Sequence, residues 1–227
     1  MSVLSLRRVA AQLAVLCALT AVAGAQDTTA RVRELDPLAR LSEATRYQVE
    51  LIFDSARVSG LPTAPLESKA LEGIAKRVDG RRIVVAVRAV FRSLRDARAA
   101  LGRTATPDEL NAAAGAIRLG IPAAELDRLK RTRHEKELTV PLVVLSDLIT
   151  RGVPRDTASQ TIFQLWQRGA ADDDFLGLWR GVERDIVSGT APGVALLNRA
   201  REIPSRGPPP ATPPSSARPD RSENPNP

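Results

Sequence analysis

The chain has 227 residues, of which 43% are hydrophobic and 3% aromatic, and its 33 Lys and Arg against 26 Asp and Glu give a formal net charge of +7. Its one cysteine, Cys17, lies in an N-terminal leader, so the processed chain cannot use disulfides, thiol catalysis or thiolate metal sites. Nearly all basic residues are arginine, which is typical of a GC-rich genome, and aromatic residues for base stacking are sparse, so nucleic-acid binding is not expected.

The leader, residues 1–25, has the three-part layout of a secretory signal peptide. Arg7 and Arg8 precede an apolar run from Val9 to Val22, and small residues follow up to Ala25. The run is shorter than the roughly 20 residues that a membrane-spanning helix needs. We therefore expect a Sec-type signal that is cleaved after Ala25 to leave a periplasmic or secreted protein without a transmembrane helix. An uncleaved N-terminal membrane anchor is the alternative.

Several segments between residues 26 and 80 carry apolar residues at helical spacing. Asp36 and Pro37 are typical of a helix start. Further helices are predicted from Ser42 to Ser59 and from Leu66 to Val78. The expected core face of the helix between Ser42 and Ser59 comprises Ala44, Tyr47, Leu51, Ile52 and Val58.

The clearest predicted helix runs from Arg81 to Leu101. Its apolar residues fall on one side at the spacing of an α-helix, Gly80 precedes it, and Gly102 can form a left-handed cap. A short strand over residues 83–87, which are rich in β-branched side chains, is the alternative. The expected core face comprises Ile83, Val84, Val87, Val90, Phe91, Leu94, Ala97 and Leu101.

Two later helices begin with acidic residues. The run Thr106-Pro107-Asp108-Glu109 predicts a helix that continues toward Leu119. Another is predicted from Asp172-Asp173-Asp174, whose charges favour the positive end of the helix dipole, to Gly189. The aromatic residues expected to pack the end of the domain, with a peptide or lipid groove as the alternative, are Phe163, Trp166, Phe175 and Trp179.

One turn pattern occurs three times, as Gly60-Leu61-Pro62, Gly120-Ile121-Pro122 and Gly152-Val153-Pro154. Glycine can end a helix in the left-handed conformation, the apolar residue can pack back on the last turn, and proline suits the first turn of the next helix. A repeat of about 30 residues would follow if a unit around residues 80–102 had lost the pattern. Three independent turns are the alternative, and no tetratricopeptide or ankyrin consensus is present.

The predicted fold is all-α, with helical hairpins in a small bundle or a short solenoid-like array over residues 26–203. Residues 204–227 hold nine of the 17 prolines and no aromatic or large aliphatic side chain, so they cannot bury a core. We predict a disordered, proline-rich tail, which acts as a spacer, as a ligand for a proline-binding module, or without a dedicated partner.

The first candidate site is an arginine row on the helix from Arg81 to Leu101. Arg81, Arg88, Arg92 and Arg95 fall within a narrow arc opposite the apolar face. Guanidinium groups can bind phosphate or carboxylate with two hydrogen bonds, so the row predicts anion binding. A solvated helix face is the alternative.

The second candidate site is a basic segment that contains Arg128, Lys130, Arg131 and Arg133. A charged loop between helices is the alternative. The only histidine, His134, follows this segment, but Leu138 occupies the position where a zinc-protease helix needs its second histidine. No metal and no cofactor are therefore predicted.

These observations predict an exported helical module that interacts with proteins or acts as a scaffold, without catalytic activity. Its expected partner is a protein of the cell envelope. The first alternative is an envelope-associated binder of anionic glycans or lipid headgroups that uses the arginine-rich helix face. The second alternative is a hydrolase with paired carboxylates. The sequence does not place any two acidic residues together for this chemistry.

Overall fold

The computed structural model describes residues 37–204, and this part of the chain contains helices and no strand. The predicted signal peptide and the tail from residue 205 onward lie outside the described residues. The chain divides into two compact units that meet between Arg95 and Asp96. The predicted helical region therefore spans two units, which are described separately below.

The first unit contains a short 3-10 helix and three α-helices. Apolar side chains from each α-helix are buried, among them Phe53, Leu66 and Val87. The strand alternative for residues 83–87 is wrong, because these residues lie within a continuous helix. The elements are the 3-10 helix Pro37–Arg40, α1 Glu43–Val58, α2 Ala64–Ala75 and α3 Gly80–Leu101, whose residues up to Arg95 belong to this unit.

The helix predicted to start at Asp36 and Pro37 is only a 3-10 turn that ends at Arg40. The following α-helix, α1, has its own start, because the hydroxyl of Ser42 accepts a hydrogen bond from the Thr45 N–H at 3.3 Å. A side chain that satisfies a free N–H of the first turn is a strong helix start, and here it lies six residues after Asp36.

The predicted core face of α1 is largely wrong. Tyr47 is 60% exposed and Val58 91% exposed, and Leu51 is also exposed, whereas Ile52 is buried as expected. The buried face is instead Val49, Ile52, Phe53 and Ala56. The helix carries apolar residues on two sides, and packing against α2 selects one of them.

The second unit contains three helical hairpins, which confirms the predicted all-α fold of packed hairpins. Within it, the first helices of the hairpins pack in succession, α4 on α6 and α6 on α8. The second helices do the same, α5 on α7 and α7 on α9, so the hairpins form two layers. The hairpins are α4 Pro107–Arg118 with α5 Ala123–Thr132, α6 Thr139–Thr150 with α7 Arg155–Gln167, and α8 Asp172–Val187 with α9 Pro192–Glu202.

The three predicted glycine turns are confirmed. Gly60, Gly120 and Gly152 have φ values of 63°, 93° and 91°, and the apolar residue after each glycine is buried. The N–H of that residue donates to a carbonyl five positions back, for example Ile121 to Ala116 at 3.1 Å, which closes the last turn of the helix. The same bond follows Arg77, Gly169 and Gly189, so the turn is more frequent than the sequence pattern indicates.

Two details of the turn prediction are wrong. Pro62 precedes Thr63, the N-cap residue of α2, so it lies outside the first helical turn. Pro122 and Pro154 are the N-cap residues of α5 and α7 and do not lie in that turn either. Their extended backbone directs the chain into the next helix, which a proline ring permits at this position. The region around residues 80–102 is also not a hairpin that lost its glycine, because α3 is one continuous helix of 22 residues.

The last hairpin departs from the apolar pattern of the others. Four residues before the turn glycine, α4 and α6 have the buried Ala116 and Leu148, but α8 has Asp185. Both carboxylate oxygens of Asp185 accept hydrogen bonds from Arg199 of α9, at 2.8 and 2.7 Å. These hydrogen bonds hold the pKa of Asp185 below its usual value, and an ion pair takes the place of an apolar contact in this hairpin.

Two glycines, one inside α8 and one just after it, provide a test of the turn. Gly189 has a φ of 95° and Gly177 lies inside α8, and a Cβ at either position would meet nothing within 4 Å. We expect Gly189→Ala to lower the free energy of unfolding by about 1 kcal/mol or more, because alanine is strained at positive φ. Gly177→Ala should raise it by about 0.5 to 1 kcal/mol, because it restricts the unfolded chain. Urea unfolding of both variants measures this, and equal effects would contradict it.

Candidate functional site

The arginine row lies on the exposed side of α3. The buried stripe of this helix, which includes Ile83, Val87 and Val90, fixes its orientation, and Arg81, Arg88, Arg92 and Arg95 are all exposed. None of the four side chains has an ion pair or hydrogen bond within residues 37–204. Their full positive charge is therefore available to a ligand.

A groove of about 770 Å³ lies between the start of α1 and the first half of α3. Arg81 and Arg88 line it, together with Arg40 at the end of the 3-10 helix, whereas Arg92 and Arg95 do not. The structure thus separates the predicted row into two pairs. We call this space the α1–α3 groove; its other lining residues include Leu41, Ser42, Ala44, Thr45, Gln48, Val84 and Val85.

Gly80 sets the close approach of α3 to α1 at one end of the groove. A Cβ added to Gly80 would lie 2.4 Å from Oγ1 of Thr45, so any side chain at this position would require Thr45 to move. The Thr45 hydroxyl is itself held by Ser42 at 2.8 Å. The groove therefore has a fixed polar end made from backbone and hydroxyl groups.

The α1–α3 groove has a positive electrostatic balance. Its one acidic lining residue is Asp79, whose carboxylate accepts a hydrogen bond from the Arg81 N–H at 3.0 Å and so caps α3. Three guanidinium groups line the same space, and the amino end of α3 adds a partial positive charge. An anion in the groove would meet more positive than negative charge.

The second predicted site is not assembled as one patch. Lys130 is only 15% exposed, and its ammonium donates to Oε1 of Glu109 at 2.8 Å and to the Lys136 carbonyl at 3.1 Å. Arg131 pairs with Asp127 of its own helix. The charges of these two residues are therefore compensated within the protein.

Arg133 caps a helix of the next hairpin. Its guanidinium lies 4.2 Å from the ring centre of Trp166 and donates to the Ala170 carbonyl at 2.9 Å. Trp166 is buried, as predicted, and its ring lies 6.5 Å from that of Phe175. Arg133 thus stabilises the carboxyl end of α7.

Arg128 is the member of the basic segment whose guanidinium group has neither an ion pair nor a hydrogen bond within the described residues. It lines a groove of about 280 Å³ between α5 and α7, together with Glu125, Asp156 and Phe163. Asp156 accepts a hydrogen bond from Arg155 at 3.0 Å. The small groove therefore carries charges of both signs.

The other residues considered for chemistry lie apart. His134 is 79% exposed in the loop before α6, and its nearest acidic partner is Glu135 at 3.7 Å. Across residues 37–204, no three histidine, cysteine, aspartate or glutamate side chains come together as metal ligands would. Within the same residues, no helix is both long and apolar enough to cross a membrane.

Sequence reasoning missed the role of Glu109, which is buried to 2% exposure. One oxygen accepts from the Thr106 N–H at 3.2 Å, and the other from Lys130 and from the Leu138 N–H at 2.9 Å. The residue thereby joins the start of α4, the end of α5 and the loop before α6. The capping motif predicted its helix position, but only the fold shows its buried ion pair.

Comparisons with known proteins give no further guide to the site, because no protein family, no characterised protein and no solved structure matches this chain.

The buried pair leads to a prediction about stability and pH. Burial alone raises the pKa of Glu109, but the hydrogen bonds from Lys130, Leu138 and Thr106 outweigh it and hold the pKa below the usual 4.5. The ionised carboxylate therefore stabilises the fold above the usual pKa, and this stabilisation is lost as the pH falls through the lowered pKa. We expect Glu109→Gln to lower the free energy of unfolding by about 2 to 4 kcal/mol at pH 7, because Lys130 loses its partner.

The matched control is Glu72→Gln. Glu72 is exposed, and hydrogen bonds from Lys69 and Lys76 lower its pKa to about 2. Solvent screens such a pair, so the variant should change stability much less. Urea unfolding at pH 7 and at pH 3 tests both variants, and the deficit of Glu109→Gln should shrink at pH 3. A deficit that is the same at both pH values would show that the charge of Glu109 does not stabilise the fold.

Proposed function

We propose that this chain is an exported, non-catalytic helical module that binds anionic groups of the cell envelope, such as lipid headgroups or acidic glycans, through the arginine face of α3. The observation that carries the proposal is that Arg81, Arg88, Arg92 and Arg95 are exposed and without an ion pair among the described residues. This contrasts with the basic segment around Lys130, where the protein supplies partners for most of the charges.

A row of guanidinium groups on one helix face suits an extended anionic surface. Arg88, Arg92 and Arg95 are spaced four and three residues apart, so they lie one above the other on the helix. Arginine is weakly hydrated and offers five donors, so it binds phosphate and carboxylate oxygens at a lower desolvation cost than lysine. A rigid helix holds these groups in place before the ligand arrives.

A second candidate is the protein-interaction or scaffold function. It is favoured by large apolar side chains on the outer side of the last hairpin, where Leu176, Val187, Val194 and Leu197 are exposed. Terminal hairpins of helical arrays usually have a polar outer face, so exposed apolar residues there favour a protein contact.

The hydrolase alternative has weaker support. Four of the acidic side chains available for it are engaged by neighbouring cations, namely Glu72, Asp156, Glu183 and Asp185. Glu125 and Asp156 line the same small groove, but Asp156 is bound to Arg155. The carboxylates that hydrolysis would need are engaged by cations, whereas the arginines that binding would need are unpaired within the described residues.

The proposed function predicts salt-sensitive binding to anionic vesicles. Near an anionic membrane each arginine contributes about 1 kcal/mol, so changing Arg88, Arg92 and Arg95 to Gln should weaken binding to phosphatidylglycerol vesicles on the order of 100-fold at low salt. Binding of the unmodified protein should also fall steeply between 50 and 500 mM NaCl. Co-sedimentation with vesicles measures both effects.

The matched control changes three exposed arginines that lie outside α3, namely Arg103, Arg118 and Arg168, to Gln. It removes the same charge, so it separates the position of the arginines from the net charge of the chain. Equal loss in both triple variants, or no vesicle binding at any salt concentration, would rule out a specific role for the α3 face.

The scaffold candidate predicts a different result. A photoreactive residue at Val187 should crosslink to one protein in living cells, and the complex should persist at 500 mM NaCl because apolar contacts are not screened. The control position is Asn111, which is exposed on α4. Identical crosslinking patterns at both positions would contradict a docking surface on the last hairpin.

A further inference from the structure

We infer that the α1–α3 groove is a discrete binding site for a phosphate monoester attached to an apolar chain. The inference deepens the proposed function, on which it rests for the anionic preference of α3. It adds that Arg81 and Arg88 belong to a pocket, whereas Arg92 and Arg95 belong to the open helix face.

The size of the groove and its two walls favour a molecule over a flat surface. About 770 Å³ is within the range of pockets that hold small molecules. One wall is the start of α1 with Arg40 before it, and the other is the first half of α3. A ligand between the walls would be contacted from two sides, which an exposed helix face cannot achieve.

The charges in the groove favour phosphate over carboxylate. Arg40 comes from the 3-10 helix, and Arg81 and Arg88 come from α3, where they are separated by two helical turns, or about 10 Å. None of the three guanidinium groups has an ion pair within residues 37–204. A phosphate monoester offers three free oxygens and up to two negative charges, so it can use donors from both walls, whereas a carboxylate offers two oxygens.

The remaining lining explains the apolar part of the ligand. Val84 and Val85 lie between the two α3 arginines in sequence, and Leu41 and Ala44 line the groove from the α1 side. Val85 is 61% exposed and lines the groove, so its side chain is accessible to an apolar ligand. An alkyl chain on the phosphate would cover these side chains, while a free phosphate would leave them in water.

The polar end of the groove offers further donors. The Gln48 amide has no hydrogen bond within the described residues, and Gly80 brings the amino end of α3 next to Thr45. Asp79 lines the groove and one of its oxygens accepts from the Arg81 N–H, but three guanidinium groups line the same space as this single carboxylate. Donors outnumber acceptors in this space, as an anion site requires.

The test uses the processed full-length protein and octyl phosphate below its micelle concentration, with binding measured by calorimetry. Inorganic phosphate and the neutral octyl glucoside are the comparison probes. Octyl phosphate should bind at least 10-fold more tightly than either, because only it uses both the arginines and the apolar wall. If either comparison probe binds as tightly as octyl phosphate, the inference is wrong.

Two pairs of variants locate the site. Changing Arg81 and Arg88 to Gln should weaken octyl phosphate binding about 10- to 100-fold, whereas changing Arg92 and Arg95 to Gln removes the same charge and should change it less than about 3-fold. Ala44→Phe fills the groove from an exposed position without changing any charge, and it should also weaken binding at least about 10-fold. Helical circular dichroism of each variant confirms that the fold is retained. Equal losses in the two arginine pairs, or no effect of Ala44→Phe, would overturn the site.

A vesicle-binding experiment distinguishes a lipid from a soluble source of the phosphate. It also separates failure of the groove site from failure of the proposed function. Phosphatidylcholine vesicles with a tenth of phosphatidic acid should bind the protein in an Ala44-dependent way if the ligand is a membrane lipid. A soluble phosphoester is the source if only octyl phosphate binding depends on Ala44. Vesicle binding that is lost with Arg92 and Arg95, together with octyl phosphate binding that no groove variant changes, would support the open face alone and refute the groove.

Discussion

The turn that ends a helix in a left-handed residue and buries the next apolar side chain determines the path of this chain. At Gly120 the N–H of Ile121 closes the turn onto Ala116, and the Ile121 side chain is buried. The buried side chain packs back on the last turn, so the same turn ends one helix and sets the point from which the next helix starts. The same event occurs at Gly152, where Val153 is buried, whereas at Gly189 only the hydrogen bond recurs because the half-buried Thr190 follows. The helices α4 to α9 joined in this way form two layers.

The placement of charge follows from this packing. Burial of the stripe that includes Ile83 and Val87 directs the arginine row away from the core, and none of its four side chains forms an ion pair within the described residues. In the second unit the hairpins bring elements of opposite charge together, and Lys130 meets Glu109 from the preceding helix. The two basic clusters resemble each other in sequence. They differ in whether their charges are paired within the protein, because their neighbours differ.

Features that depend on residues close together in the sequence could be predicted. Features that depend on which side of a helix another element covers could not. The helical spacing of α3, the capping motif of α4 and the glycines at helix ends each act within a few residues, and the structure has them as predicted. The core face of α1 was wrong because Tyr47 and Val58 form an apolar side that competes with the side of Val49 and Phe53. Helical periodicity cannot decide which of two apolar sides a partner helix covers.

The candidate site shows the same division. The arginine row could be predicted from its spacing on one helix, but the groove requires Arg40 and Ala44, which approach from a different element. In our proposal the two parts of the site contribute differently to binding. Exposed charges such as Arg92 and Arg95 attract any anion and are weakened by salt, because solvent screens them. Selectivity needs contacts from more than one side together with apolar surface, and in the first unit the α1–α3 groove supplies both.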